Sequence, residues 1–355
     1  MVVKVSKPEL NLREKISELD KPSGVAGEAM LRADTPQEQF NLIGAGRRNM
    51  IINGDFRVSQ RGDYSSAGTV TNGHWFVDRY RAFFSGVTAT VQRTSNSHPN
   101  THTGHSLKIT ATSSASGYID LLQYVEYQPF FVGKHMTLSA WVRSNNIDTQ
   151  FRVTAGSQLA TKNHSGGGEW EYLTLTFVYP TTVTTNIGIE VLAYNNGAVS
   201  VANGDFVEIA ELQLELGKVA TPFEHRSYGE ELALCERYYQ KSYDKDAYIT
   251  GSTSLSSIGS VDHYGSSDAT NVLAQVYFRT QMRDAPSVTT FDPNTSNGGN
   301  AHSGRAYINS NSGAASYNTT TNNIGTTGFR SYVPKNGAAW AAHRLIFQWQ
   351  AHADI

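Results

Sequence analysis

Cysteine is almost missing from this chain. One Cys among 355 residues leaves no internal disulfide to form, so the fold must stand on packing and hydrogen bonds, and Cys235 reads as a small buried hydrophobe. Charge is scarce as well. Only 17% of residues are charged, against about 25% in an average soluble domain, so Ser, Thr, Asn, Gln and Gly must wet most of the surface. Lys plus Arg number 29 and Asp plus Glu 31, for a net charge of −2. That balance makes no long-range field to gather phosphates and excludes nucleic acid as the expected partner. No run of about 18 apolar residues occurs, and Met1 to Glu9 holds no apolar core of a secretory leader. Membrane insertion is not expected, and synthesis in the cytoplasm is.

Enzyme signatures are also lacking: there is no G-x-S-x-G, no phosphate-cradling P-loop, no H-E-x-x-H and no Cys–His pair of assignable geometry. A glycan-cutting enzyme needs two carboxylates flanking the bond, and 31 acids always supply a pair. Glu208, Glu211 and Glu215, however, read as the wet edge of one strand. A stacked repeat of the β-helix kind is absent too, so catalysis is not expected.

What the chain does contain falls into four pieces. Residues 1–45 begin with Ser6-Lys7-Pro8-Glu9, a capping box with proline in the first turn. Leu12, Ile16 and Leu19 then form one apolar stripe on a charged helix. A helix of about a dozen residues is marginal alone in water, so the stripe is expected to dock, on copies of itself, on another protein or on its own chain. Over residues 46–226 the period becomes two: Leu107, Ile109 and Ala111 alternate with Lys108, Thr110 and Thr112, and Leu173, Leu175 and Phe177 with Thr174 and Thr176. Turn clusters such as Ser165-Gly166-Gly167-Gly168 separate these runs, which predicts a sandwich of two antiparallel sheets. Within Phe206 to Leu216 the apolar parity flips between Ile209 and Leu212, and a β-bulge near Ala210-Glu211 would return both halves to the core. Residues 227–242 read as a linking helix. Over residues 243–355 the alternation returns, with Val272, Ala274, Val276 and Phe278 on one face. Asp292 to Gly328 is dominated by Asn, Ser, Thr and Gly, cannot fill a core, and is expected either as surface loops or as part of an intertwined oligomer.

The fold class is therefore all-β: a jelly-roll β-sandwich followed by a second, smaller β domain, with a short N-terminal helix and a linking helix. Asn49-Met50-Ile51-Ile52-Asn53-Gly54-Asp55-Phe56, Gln60-Arg61-Gly62 and Trp75-Phe76-Val77-Asp78-Arg79-Tyr80 resemble the opening of a jelly-roll domain of bacteriophage tail-fibre proteins. Leu212 to Gly217, Ala220-Thr221-Pro222-Phe223-Glu224 and Glu231 to Tyr239 resemble its close. The leader through Asp34 to Gly44 is similar to virion proteins of cyanobacterial and marine phages, so the resemblance covers residues 1–241. It implies a non-enzymatic structural virion protein, a tail fibre or receptor-binding appendage made in the host cytoplasm. It also implies assembly as a homotrimer, attachment of Leu12, Ile16 and Leu19 to other tail or head proteins, and contact with host-surface glycans. Two alternatives stay open: a head or tail-tube decoration protein with no receptor role, and a polysaccharide depolymerase.

Sugar readers need aromatic faces for the apolar side of a pyranose, with polar groups beside them. In Thr137 to Arg143, Leu138, Ala140 and Val142 take the core, so Trp141 and Arg143 point outward. In Tyr118 to Val125, Ile119, Leu121 and Val125 share a face and leave Tyr118, Asp120 and Tyr124 opposite. These five are the expected platform, while Trp75 is assigned to the core. Asn53, Asp55 and Asp205, in two Asn-Gly-Asp turns, offer the hard oxygens of a structural calcium clamp and equally the residues of ordinary turns. His98, His102 and His105 read as a solvated loop.

Overall fold

The computed structural model describes residues 48–95, 105–181, 186–193, 200–243, 261–264, 271–293, 302–310, 313–334 and 343–355. The stripe of Leu12, Ile16 and Leu19 lies outside these residues, as do His98 and His102. Among the described residues up to 216, fourteen strands alternate with turns. They are β1 (Gly68–Thr69), β2 (His74–Trp75), β3 (Arg81–Ser85), β4 (Ala89–Ser95), β5 (His105–Ala111), β6 (Ala115–Ser116) and β7 (Tyr118–Val125). After them come β8 (His135–Ser144), β9 (Thr149–Thr154), β10 (Gln158–Asn163), β11 (Trp170–Val178), β12 (Ile187–Ala193), β13 (Ser200–Val201) and β14 (Phe206–Leu216).

Two six-stranded antiparallel sheets result, in the orders β1-β4-β5-β14-β8-β11 and β10-β9-β12-β7-β3-β2. Period-two patterning turns one face of each sheet inward. Leu107, Ile109, Leu138, Ala140, Val142, Val207 and Ile209 from the first sheet meet Ala82, Phe84, Ile119, Leu121, Phe151, Val153 and Ile189 from the second in one buried cluster. This is the expected jelly-roll sandwich. Gly86 and Gly117 let two chain segments touch, since a Cβ on Gly117 would stand 1.8 Å from the Ser85 carbonyl oxygen.

The parity flip in β14 is resolved as expected from the sequence. Its pairing with β8 shifts register between Ala210 and Gln213, and Glu211 takes up φ 52. Ile209, Leu212 and Leu214 are consequently all within 2% of full burial. The wet edge expected of the strand's acids is not there: Glu208 and Glu215 are both fully buried. Segment 217–226 and the outward side chains of neighbouring strands cover them, so parity predicted their direction but not their cover.

The linking helix is shorter than its sequence span suggests. Helix α1 (Tyr228–Glu236) starts at Ser227, whose side chain accepts a hydrogen bond from the Glu230 amide, and it ends before the tyrosines. Residues 239–241 are instead a strand, β15 (Tyr239–Lys241), because an edge of the last strand is available to pair with it. The remaining strands are β16 (Val261–Tyr264), β17 (Asn271–Tyr277), β18 (Ser287–Asp292), β19 (His302–Ser303), β20 (Arg305–Ser310), β21 (Gly313–Asn318), β22 (Thr320–Gly325), β23 (Gly328–Pro334) and β24 (His343–His352). They form a sheet centred on β24 and a three-stranded sheet β17-β23-β22 over a second buried cluster with Val272, Phe329, Leu345, Phe347 and Trp349. Surface loops are not what the described part of Asp292 to Gly328 forms. Its backbone pairs as β19 to β22, and Ala306 and Ile308 are buried in the second cluster.

Charged groups tie the two clusters together. Arg61 bonds Asp354 and donates from Nη1 to His352 Nδ1 at 3.0 Å, and Lys241 Nζ donates to the Gln60 carbonyl at 2.7 Å. Arginine only donates, so His352 Nδ1 must accept and the neutral ring carries its proton on Nε2. Burial first, and then the Arg61 cation, push the His352 pKa down to about 4. Asp78, buried beside Gln60, is pushed up by desolvation to about 6. The two groups act on stability in opposite senses. His352 protonates in the unfolded chain before the folded one, so its contribution is present above about pH 6.5 and is lost as pH falls toward 4. Asp78 protonates first in the folded chain, so its contribution is present below about pH 4 and is lost as pH rises through 6. His352→Gln keeps an acceptor for Arg61 and removes only the first effect. The variant is expected to lose less Tm than the wild type between pH 7 and pH 4.5, by the equivalent of up to roughly 3 kcal/mol; thermal melts across that range check it.

Candidate functional site

The five expected platform residues do not share a face. Trp141 and Arg143 sit on β8 in the first sheet, whereas Tyr118, Asp120 and Tyr124 sit on β7 in the second. Both sets point outward, as parity predicted, but from opposite sides of the sandwich. Alternation fixes in or out for each strand and says nothing about which sheet the strand joins.

On the first sheet the cross-strand register sets Trp141 opposite Tyr172 and Arg143 opposite Trp170. The Trp141 and Tyr172 rings lie 5.2 Å apart between centroids, tilted by 53°. Tyr172, on edge strand β11, is 43% exposed. Sequence reasoning missed it, although its alternation with inward Leu173 and Leu175 already gave it outward parity. Arg143 closes one end of this strip. Its guanidinium lies 5.3 Å from the centroids of both Trp170 and Phe206 and donates to Glu208 Oε2 at 2.6 Å. Thr94 and Ser106 hydroxyls donate to the other oxygen, Glu208 Oε1, at 2.9 and 2.5 Å. Glu208 is thus a fully buried carboxylate held by one cation and two hydroxyls, and it anchors the arginine beside the aromatic pair.

The outward face of the second sheet sets an ion pair beside a buried acid. Asp120 is 6% exposed and its Oδ1 has no hydrogen-bond partner. Desolvation, reinforced by the Glu190 charge, holds its carboxyl far above the usual carboxylate range. Glu190 is paired with Arg152 and accepts from Thr154 Oγ1 at 2.9 Å. Tyr118 and Tyr124 are half-buried on the same strand, and the Arg81 guanidinium covers the Phe83 ring at 4.5 Å. Ion pairing and covered rings make this face poorer in open aromatic surface than the strip around Tyr172.

Asn53, Asp55 and Asp205 do not converge. The Leu212 amide donates to the Gly54 carbonyl at 3.0 Å, whereas Asp205 precedes the other end of β14. Six residues of strand, about 20 Å, therefore separate them. Each has a turn role instead. Asn53, at φ 60, donates from Nδ2 to the carbonyls of Val58 and Asp78 at 2.8 and 3.0 Å and accepts from the Val58 amide at 3.0 Å. Asp55 is paired with Arg57, and Asp205 accepts from Asn146 Nδ2 and the Ala202 amide. Among the described residues, no group of three or more His, Cys, Asp or Glu side chains is set to hold a metal.

Trp75 is not a core residue either. It is half-buried in a cleft where the sandwich meets β15 and β24, flanked by Arg61 and Arg81 at 5.6 and 4.9 Å from its ring centroid. Among the described residues, no helix is long and apolar enough to cross a membrane.

No protein-family model and no curated protein matches the sequence. Solved structures similar to part of the chain include the enzymatically active domain of tailspike protein 4 of bacteriophage CBA120, at 15% identity and TM-score 0.33, over 48% of this chain. The similarity spans only 21% of the tailspike chain. A family 11 carbohydrate-binding module of a Clostridium thermocellum cellulase matches at 14% identity and TM-score 0.28, covering 46% of this chain and all of the module. A cyclase from Fischerella sp. TAU matches at 13% and 0.35, covering 50% of this chain and all of the cyclase. At these levels the similarity is one of partial fold outline, and nothing about ligand or chemistry passes from it to this chain.

Two substitutions test the geometry. Arg143→Ala leaves Glu208 buried without its cation and is expected to cost about 3 kcal/mol in denaturant unfolding, with part regained in the double variant Arg143→Met/Glu208→Gln. Asn53→Asp turns two donors into acceptors facing carbonyls and is expected to cost about 2–4 kcal/mol. A calcium clamp at the same residue would instead accept the added carboxylate, and unfolding with and without calcium separates the two.

Proposed function

We propose that this protein is a non-catalytic glycan-binding virion protein, a tail fibre or receptor-binding appendage whose sandwich presents the Trp141–Tyr172 strip to host-surface sugar. The observation that carries the reading is an aromatic pair on an outward sheet face, one ring 43% exposed, beside a guanidinium fixed by a buried carboxylate. Such rings receive the C–H face of a pyranose, and the anchored arginine supplies directed donors to its hydroxyls without having to be ordered on binding. The resemblance of residues 1–241 to phage fibre proteins supplies the setting. In that setting the chain is a homotrimer held to other tail or head proteins by its leader, and three weak sites on one rigid body add up to avidity.

The reading is tested on purified protein with host cells or their surface polysaccharide. Trp141→Ala and Tyr172→Ala are each expected to weaken binding by about tenfold, with Tm little changed for the exposed Tyr172. Unchanged binding in both variants overturns the strip. Polysaccharide chain length is expected to stay constant during incubation; shortening replaces binding with depolymerisation. Mass measurement in solution is expected to give three chains, and a monomer at micromolar concentration removes the fibre.

A further inference from the structure

Where the sandwich meets the C-terminal sheet, a cavity of about 390 Å³ opens between strands β2, β15 and β24. Tyr64, Trp75 and Tyr239 give it aromatic walls, and His74, Gln350 and His352 give it hydrogen-bonding heads. Its size lies in the range of small-molecule sites, about 300–1,000 Å³. At a liquid share of about 30 Å³ per water it has room for roughly a dozen water-sized atoms, the count of non-hydrogen atoms in a hexose.

The lining carries little net charge. The Arg61 guanidinium is offset by Asp354, to which it bonds. Burial and the Arg61 cation keep both His74 and His352 uncharged at neutral pH. Tyr64 Oη lies 3.1 Å from His74 Nε2, and Tyr239 Oη donates to Gln350 Oε1 at 3.2 Å. Neutral hydrogen-bonding groups therefore line the opening in neighbouring pairs. A cleft that joins aromatic walls to neutral hydrogen-bonding heads suits a small uncharged polyol, and the one charged side chain in its lining, Arg61, is already bonded to Asp354.

We propose that the cleft formed by Tyr64, His74, Trp75, Tyr239, Gln350 and His352 binds one uncharged pyranose ring, as a second sugar site distinct from the outer strip. The inference shares its ligand class with the proposed function but none of its residues. Because the cleft uses both sheet systems, a bound ring also bridges the sandwich to the C-terminal strands.

The test is an indole NMR titration of the full-length protein with glucose, galactose and N-acetylglucosamine, each set against glucuronate. Trp75→Phe identifies the Trp75 signal. A neutral sugar is expected to shift that signal saturably, with Kd on the order of 1 mM, and glucuronate to bind no more tightly. Tyr64→Phe keeps the ring, loses one hydroxyl and is expected to weaken binding two- to tenfold. In Trp141→Ala the Trp75 shift is expected to persist, so loss of the outer strip and loss of the cleft are read separately. The proposal is overturned if no neutral sugar moves Trp75, if glucuronate binds more tightly than every neutral sugar, or if Tyr64→Phe leaves the affinity unchanged.

Discussion

The period-two rule applied to β14 is the constraint on which the sandwich depends. This strand lies inside the first sheet, between β5 and β8, so without a bulge one half of its apolar residues, either Val207 and Ile209 or Leu212 and Leu214, would turn away from the core. One extra residue at Ala210-Glu211 absorbs the mismatch, and the backbone accepts φ 52 at Glu211 to do so. The bulge also ends the pairing with β5 and frees the far half of the strand for the entering chain. The Met50 amide donates to Leu214 at 2.9 Å, and Asn49 bridges to both Leu212 and Leu214.

From that junction the charged residues take over as fasteners. Arg226 reaches the carbonyls of Asn49 and Ile51 and pairs with Glu231, while Glu231 accepts the Asn53 amide. Glu224 accepts the amides of Arg48 and Asn49. A chain with one cysteine thus closes its sandwich with buried charge pairs, which are costly to break because each leaves a charge without its partner. The scarcity of charge and its placement fit together: several of the arginines and glutamates present are spent inside the fold, and the outer surface is left to hydroxyls and amides.

The same economy shapes the candidate binding surfaces. Glu208 is spent on fixing Arg143, and Arg143 in turn lies against Trp170 and Phe206 next to the Trp141–Tyr172 pair. On the opposite face Arg152 pairs with Glu190, and burial followed by the Glu190 charge pushes the Asp120 carboxyl, whose Oδ1 has no hydrogen-bond partner, well above the usual carboxylate range. In the cleft, Arg61 is offset by Asp354, and burial together with the Arg61 cation holds His352 neutral. Each surface presents little net charge, in keeping with a chain whose composition favours uncharged partners.

Alternation alone determined which side chains of Thr137 to Arg143 and Tyr118 to Val125 face inward, and the flip at Ile209 and Leu212 announced the bulge. Those are local properties, written at two-residue spacing along a single strand. Which strands become neighbours was decided only by the tertiary fold, because pairing is a contact between residues far apart in sequence. For that reason Trp141 found Tyr172 rather than Tyr124, Trp75 left the core for a cleft closed by the distant β24, and Tyr239 gave up a helix to pair with His352. The acids of β14 show the same division: their outward direction was legible in the sequence, and the cover that buried Glu208 and Glu215 came from other parts of the chain.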